Sequence, residues 1–67
     1  MTNTKMLLKK LNENGLKMSY IAKELGLTPY GFSKKVYNES EFKASEIVKC
    51  SELLRLSLQE RDSIFLN

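Results

Sequence analysis

Tyr30, Ser33, Lys34 and Lys35 lie in one short stretch that carries no acid. An aromatic ring, a hydroxyl and two ammonium groups so close together suit a polyanion. Lysine donates to guanine O6 and N7 or to a phosphate, serine donates or accepts, and tyrosine offers both a ring face and a hydroxyl. Phe32 and Val36, four apart, give a helix here its inward face. Pro29, Tyr30, Ser33, Lys34 and Lys35 are then left outward. A polar, basic and aromatic outer face on the second helix of a pair is what reading the major groove needs. Other chemistries lack parts. With no histidine and one cysteine, the chain has neither a zinc set nor a disulfide framework. Glu13, Glu24, Glu46 and Asp62 have no nucleophile or metal-spaced partner and are expected on solvated helix faces. Cys50, at helical spacing from Ile47 and Leu54, is expected as a small buried apolar residue. No enzyme activity, metal or cofactor is therefore expected.

The stretch must be held by what precedes it. Ile21, Ala22 and Leu25 share a helical face. Gly26 can take the left-handed conformation that ends a helix, and Leu27 is apolar where the chain turns inward. Thr28 can cap the next helix, and Pro29 suits its first position. The pattern elsewhere is also helical. Helix 1 is expected over residues 4–12, with Leu7, Leu8 and Leu11 inward, ended by Asn14-Gly15. Helices 2 and 3 are expected over 18–25 and 29–37. Phe42 tucks under a polar loop, and helix 4 covers 44–55 with Ile47, Cys50, Ser51 and Leu54 on one face. Ser57 and Glu60 fit a capping box for helix 5, which runs to Phe65.

Sixty-seven residues allow one all-α domain, residues 1–67, with one small core. The net charge of +3 is unevenly spread. Residues 1–37 hold seven Lys against Glu13 and Glu24, whereas residues 38–67 hold four basic against six acidic side chains. The basic half contains the helix pair, which favours a polyanion there. No apolar run approaches the roughly 20 residues of a membrane span, and no signal-peptide core is evident. A reducing, cytoplasmic setting is expected.

Three stretches carry a family resemblance: Tyr20-Ile-Ala-Lys-Glu-Leu-Gly-Leu-Thr28, Gly31-Phe-Ser-Lys-Lys-Val-Tyr-Asn38, and Phe42-Lys-Ala-Ser-Glu-Ile47 continuing to Leu54-Arg-Leu-Ser57 and Ile64-Phe65. Together they span nearly the whole chain. In them the chain resembles the lambda-repressor-like (Cro/repressor-type) helix-turn-helix family, nearest to the small Cro-like regulators of phages of Gram-positive bacteria. The resemblance implies a five-helix domain with the helix-turn-helix at helices 2 and 3. It implies a transcriptional regulator that binds operator DNA, commonly as a dimer. Carried over residue by residue, it puts Pro29, Tyr30, Ser33 and Lys34 at base edges. Lys17, Met18, Thr28, Lys35, Tyr37, Asn38 and Lys43 fall at phosphates, Lys17 and Met18 in part through the amides opening helix 2.

The chain departs from the family at several positions. Lys17 and Lys43 stand where a Ser or Thr commonly caps a helix. Lys35 stands where many relatives bury a side chain, so it either faces DNA or is displaced by an irregular helix 3. Gly31 inside helix 3 costs about 1 kcal/mol of propensity. It implies either close packing on helix 2 or close approach to DNA.

A second class of function is a protein-binding module on the same fold, gripping a repressor, an antitoxin partner or RNA polymerase. That role would favour exposed Leu, Ile or Met on helix 3, which has none. DNA mimicry conflicts with the sign of the charge, and RNA binding would want more aromatic platforms than Tyr30 and Tyr37. An apolar surplus in helices 4 and 5, at Leu53, Leu56, Leu58, Ile64, Phe65 and Leu66, suggests a weak homodimer through the C-terminal third, unless Ile64 and Phe65 close the core.

Overall fold

The computed structural model describes residues 1–66; Asn67 lies outside them. Among the described residues the chain forms five α-helices and no strand: α1 (Thr4–Glu13), α2 (Met18–Glu24), α3 (Pro29–Val36), α4 (Ala44–Leu53) and α5 (Leu58–Phe65). Each boundary lies within two residues of its sequence expectation. The radius of gyration, 10.4 Å, fits a compact globule of this length, for which about 11 Å is usual. Among the described residues no helix is long and apolar enough to cross a membrane.

Four helices end the same way. Gly15, Gly26, Asn38 and Arg55 each take a left-handed φ of 54–72° just past a helix. The next residue then donates back across the last turn: Leu16 to Leu11 O, Leu27 to Ala22 O, Glu39 to Lys34 O and Leu56 to Ser51 O, at 2.8–3.0 Å. This satisfies carbonyls that the helix cannot pair itself. Leu16, Leu27 and Leu56 follow the reversal, and each packs against the core.

The core is one cluster drawn from every helix: Leu7 and Leu11, Ile21 and Ala22, Phe32 and Val36, Cys50 and Leu54, Ile64 and Phe65. Leu8, Ile47 and Ser51, expected inward, are only half-buried. Phe42 does tuck beneath the loop after α3. Its ring meets Phe32 and Phe65 edge-on, with centroids 6.0 and 5.2 Å apart. A residue outside any helix thus joins α3 to α5, in the geometry aromatic quadrupoles favour.

Polar contacts close the ends. Ser57 Oγ accepts from Glu60 N and the Glu60 carboxylate accepts from Ser57 N, as the capping box requires. Glu60 also pairs with Lys10 of α1. The first residues of the chain are stitched across the fold. Asn3 N donates to Ile64 O at 2.7 Å, and Asn3 Oδ1 caps α1 by accepting from Met6 N.

Cys50 is fully buried, and desolvation pushes its thiol up to about 12. The thiolate that would react is suppressed. Alkylation of the folded protein by iodoacetamide is expected to be slow and to accelerate through the urea unfolding transition. Rapid labelling in native buffer would contradict this burial.

Candidate nucleic-acid interface

The interface begins with a cap. Thr28 Oγ1 accepts from Gly31 N at 3.0 Å, and Pro29 occupies the first position of α3, where a missing amide hydrogen leaves nothing unpaired. The helix that follows is regular from Pro29 to Val36. Phe32 and Val36 are fully buried and fix its inward side. At 3.6 residues per turn, Tyr30, Ser33, Lys34 and Tyr37 fall within an arc of about 100° on the other side. Tyr30 is 73% exposed and Tyr37 52% exposed, and Pro29 is also open to solvent. The Lys34 ammonium lies 5.6 Å from the centre of the Tyr30 ring, within cation–π range. A ring and a cation are therefore held together on the outer face, with Ser33 beside them. Among the described residues α2 and α3 form the most extensive helix–helix contact.

Two residues expected at phosphates are engaged elsewhere. Lys35 is turned inward: its ammonium pairs with Glu46, and the two side chains are only 12% and 9% exposed. The helix is neither irregular nor displaced there. Its side chain leaves on the flank between the buried and outer faces, where α4 supplies a carboxylate. Asn38 is the second. Its amide accepts from Thr2 N at 2.8 Å and donates to Thr2 O at 3.0 Å, with Thr4 Oγ1 at 3.4 Å. That side chain ties the N-terminal segment to the end of α3.

The others stand as follows. Lys17 and Lys43 are exposed and make no side-chain cap for the helices they precede. Met18 packs its side chain against the core, which leaves only its backbone amide for an anion. Thr28 uses its oxygen as a cap, so its hydroxyl proton remains to be donated. Gly31 does not pack on α2. A Cβ built there meets Thr28 Oγ1 at 3.2 Å and no other heavy atom within 4 Å outside its own helix backbone and sequence neighbours.

Glu46 is the residue that the sequence misplaced. Expected on a solvated face, it is buried, and its Oε1 accepts both from Lys35 Nζ and from Lys43 N. A glutamate three residues after the position that precedes a helix was the available signal. The lysine at that position, which has no acceptor to complete a capping box, obscured it. Val48, 54% exposed on α4, was also unforeseen.

Comparison with protein-family models, with curated proteins and with solved structures gives no match to this chain.

Burial alone would push the Glu46 carboxyl up. The hydrogen bonds from Lys35 and the Lys43 amide, with the charges of both lysines, outweigh it and hold the group below the usual carboxylate range. The folded pKa is thus lower than the unfolded one. The stabilisation is complete above the ordinary glutamate value of about 4.3 and is lost as pH falls through the lower folded value. Urea unfolding followed from about pH 6 to about pH 3 is expected to show stability falling at the acid end, less steeply in the double variant Lys35→Met/Glu46→Gln, which leaves no buried charge unpaired. Equal acid limbs in the two proteins would remove Glu46 from this role.

Proposed function

We propose that the chain is a sequence-specific, double-stranded DNA-binding transcriptional regulator of the lambda-repressor-like type. In this reading α2 and α3 form a helix-turn-helix, and α3 enters the operator major groove. The observation that carries it is the outer face of α3, where an exposed Tyr30 and half-buried Ser33 and Lys34 lie opposite the core side without an acid on the helix. Tyr30 and Lys34 reach base edges, with Ser33 between them and Pro29 leading the helix in. Thr28, Lys17, Tyr37 and Lys43 flank this face and take phosphates, which fix register without reading sequence. Lys35 and Asn38 are left out because their polar atoms are already used. The repressor role and a phage origin rest on the resemblance of the sequence. The reading places the protein on DNA in the cytoplasm and gives it no catalysis and no cofactor.

Selection from a pool of random duplexes at low salt tests this directly. Enrichment of a sequence is expected, with affinity falling steeply as salt rises, by a slope near −0.9 for each phosphate neutralised. No enrichment and no retention of any duplex would reject the reading. On the selected sequence, Tyr30→Ala and Lys34→Ala are each expected to cost about 1–3 kcal/mol, and far less on random duplex. Lys17→Ala is expected to weaken both alike and flatten the slope. Equal losses on both DNAs for Tyr30→Ala would move that residue off the bases.

The same proposal includes a weak two-fold dimer through α4 and α5. Ile64 and Phe65 are core residues, so they are not part of its surface. Leu58, 71% exposed, and Val48 border a groove floored by Leu56 and Ser51 and rimmed by Glu52, Arg55 and Arg61. A rim with both signs of charge can complement itself about a two-fold axis, with Glu52 of one copy facing Arg55 of the other in the proposed dimer. Two copies then present two α3 helices to half-sites about one helical turn apart. Sedimentation is expected to show a monomer–dimer equilibrium that Leu58→Asp shifts to monomer. A wild-type monomer bound at one copy per site would reject the dimer alone.

A further inference from the structure

Lys35 places a charge on α3 that points away from the outer face. Oε1 of Glu46 receives that ammonium and also the Lys43 amide, the latter at 2.8 Å. One carboxylate oxygen therefore ties the last turn of α3 to the first turn of α4, across the loop of residues 37–43. The adjoining residues are fastened too. Val36 O accepts from Thr4 Oγ1, and Asn38 is bound to Thr2. Phe32 and Val36, fully buried, fix which side of α3 faces the core, and the flank of the helix needs a further contact to set its rotation finely. A hydrogen-bonded ion pair is directional. Lys35 lies on the flank of the helix, beside the line of Phe32 and Val36, where a rotation about the axis carries its ammonium toward or away from the carboxylate on α4. Lys34, the adjacent lysine, lies about 100° away on the helix and has only a ring contact.

We infer that Lys35 and Glu46 are a positioning pair, which sets the rotation of α3 and so decides which side chains meet the base edges. Lys35 itself does not touch DNA. The inference rests on the reading of α3 as the DNA-facing helix. It assigns specificity to two residues that face away from the proposed groove contact.

Removing one partner would leave a buried charge unpaired and endanger folding. The test is therefore the double variant Lys35→Met/Glu46→Gln. Its net charge stays at +3. The introduced glutamine keeps a carbonyl oxygen for the Lys43 amide, and the introduced methionine fills the space of the lysine stem. On the selected duplex the affinity is expected to fall about tenfold. Random-duplex affinity is expected to stay within about twofold, with the salt slope unchanged. An unchanged affinity for the selected duplex overturns the inference. So does an equal fall on both duplexes: with the slope unchanged the pair is merely structural, and with a shallower slope Lys35 is a phosphate contact. The free protein gives a second readout. Amide resonances of Tyr30 and Gly31, in the first turn of α3, are expected to shift in the double variant. If they do not move, α3 has not rotated and the inference fails. A wild-type protein that binds no duplex rejects the DNA-binding reading alone, and these resonances still decide whether the pair positions α3.

Discussion

Helices of seven to ten residues do not persist in water by themselves. Fixing the first turn consumes more conformational freedom than one hydrogen bond returns, and isolated helices become stable only beyond about 12–15 residues. Every helix here therefore depends on its ends and on its neighbours. The left-handed reversals after four of them satisfy terminal carbonyls, and three of the four turn a leucine back to the core. Phe42, outside any helix, connects Phe32 to Phe65. The outer face of α3 inherits this dependence: Tyr30 and Lys34 are only as well placed as Phe32 and Val36 are buried.

The same shortage of structure governs the charge. Seven lysines in the first 37 residues look like a basic surface. Two of them, Lys10 and Lys35, reach across to Glu60 and Glu46 in the acidic half. The excess of one half is partly neutralised by the other, and what remains for a polyanion is narrower than composition suggests. The two pairs differ in kind. Lys10 and Glu60 are partly open to solvent, where screening weakens such a contact. Lys35 and Glu46 are enclosed, so geometry and further hydrogen bonds decide whether the pair is tolerated.

Local signals were legible in the sequence. Thr28 and Pro29 begin α3, Gly26 ends the turn before it, and Ser57 with Glu60 begins α5, because a cap needs only a residue type at a fixed offset. Helical periodicity located Leu7, Leu11, Ile21, Phe32, Val36, Cys50 and Leu54 in the core. The partners of polar residues were not legible. Lys35 looks like any outward lysine until α4 brings Glu46 beside it. Asn38 looks like a loop residue until Thr2 arrives from the far end of the chain. Gly31 fitted two readings, and the structure removes the packing one. These pairings depend on which elements meet, which a one-dimensional pattern does not encode.

The bond from Asn3 N to Ile64 O closes most of the chain into a ring. Closing a loop of that length is entropically costly, although the cost grows only with the logarithm of its length. α2 and α3, adjacent in sequence, can meet early. The ring closes only where the start of α1 and the last turn of α5 lie side by side. Opening it removes the main-chain link between Asn3, which caps α1, and Ile64 of α5. The start of α1 and the last turn of α5 therefore share one main-chain bond, and neither can pull away from the other without breaking it.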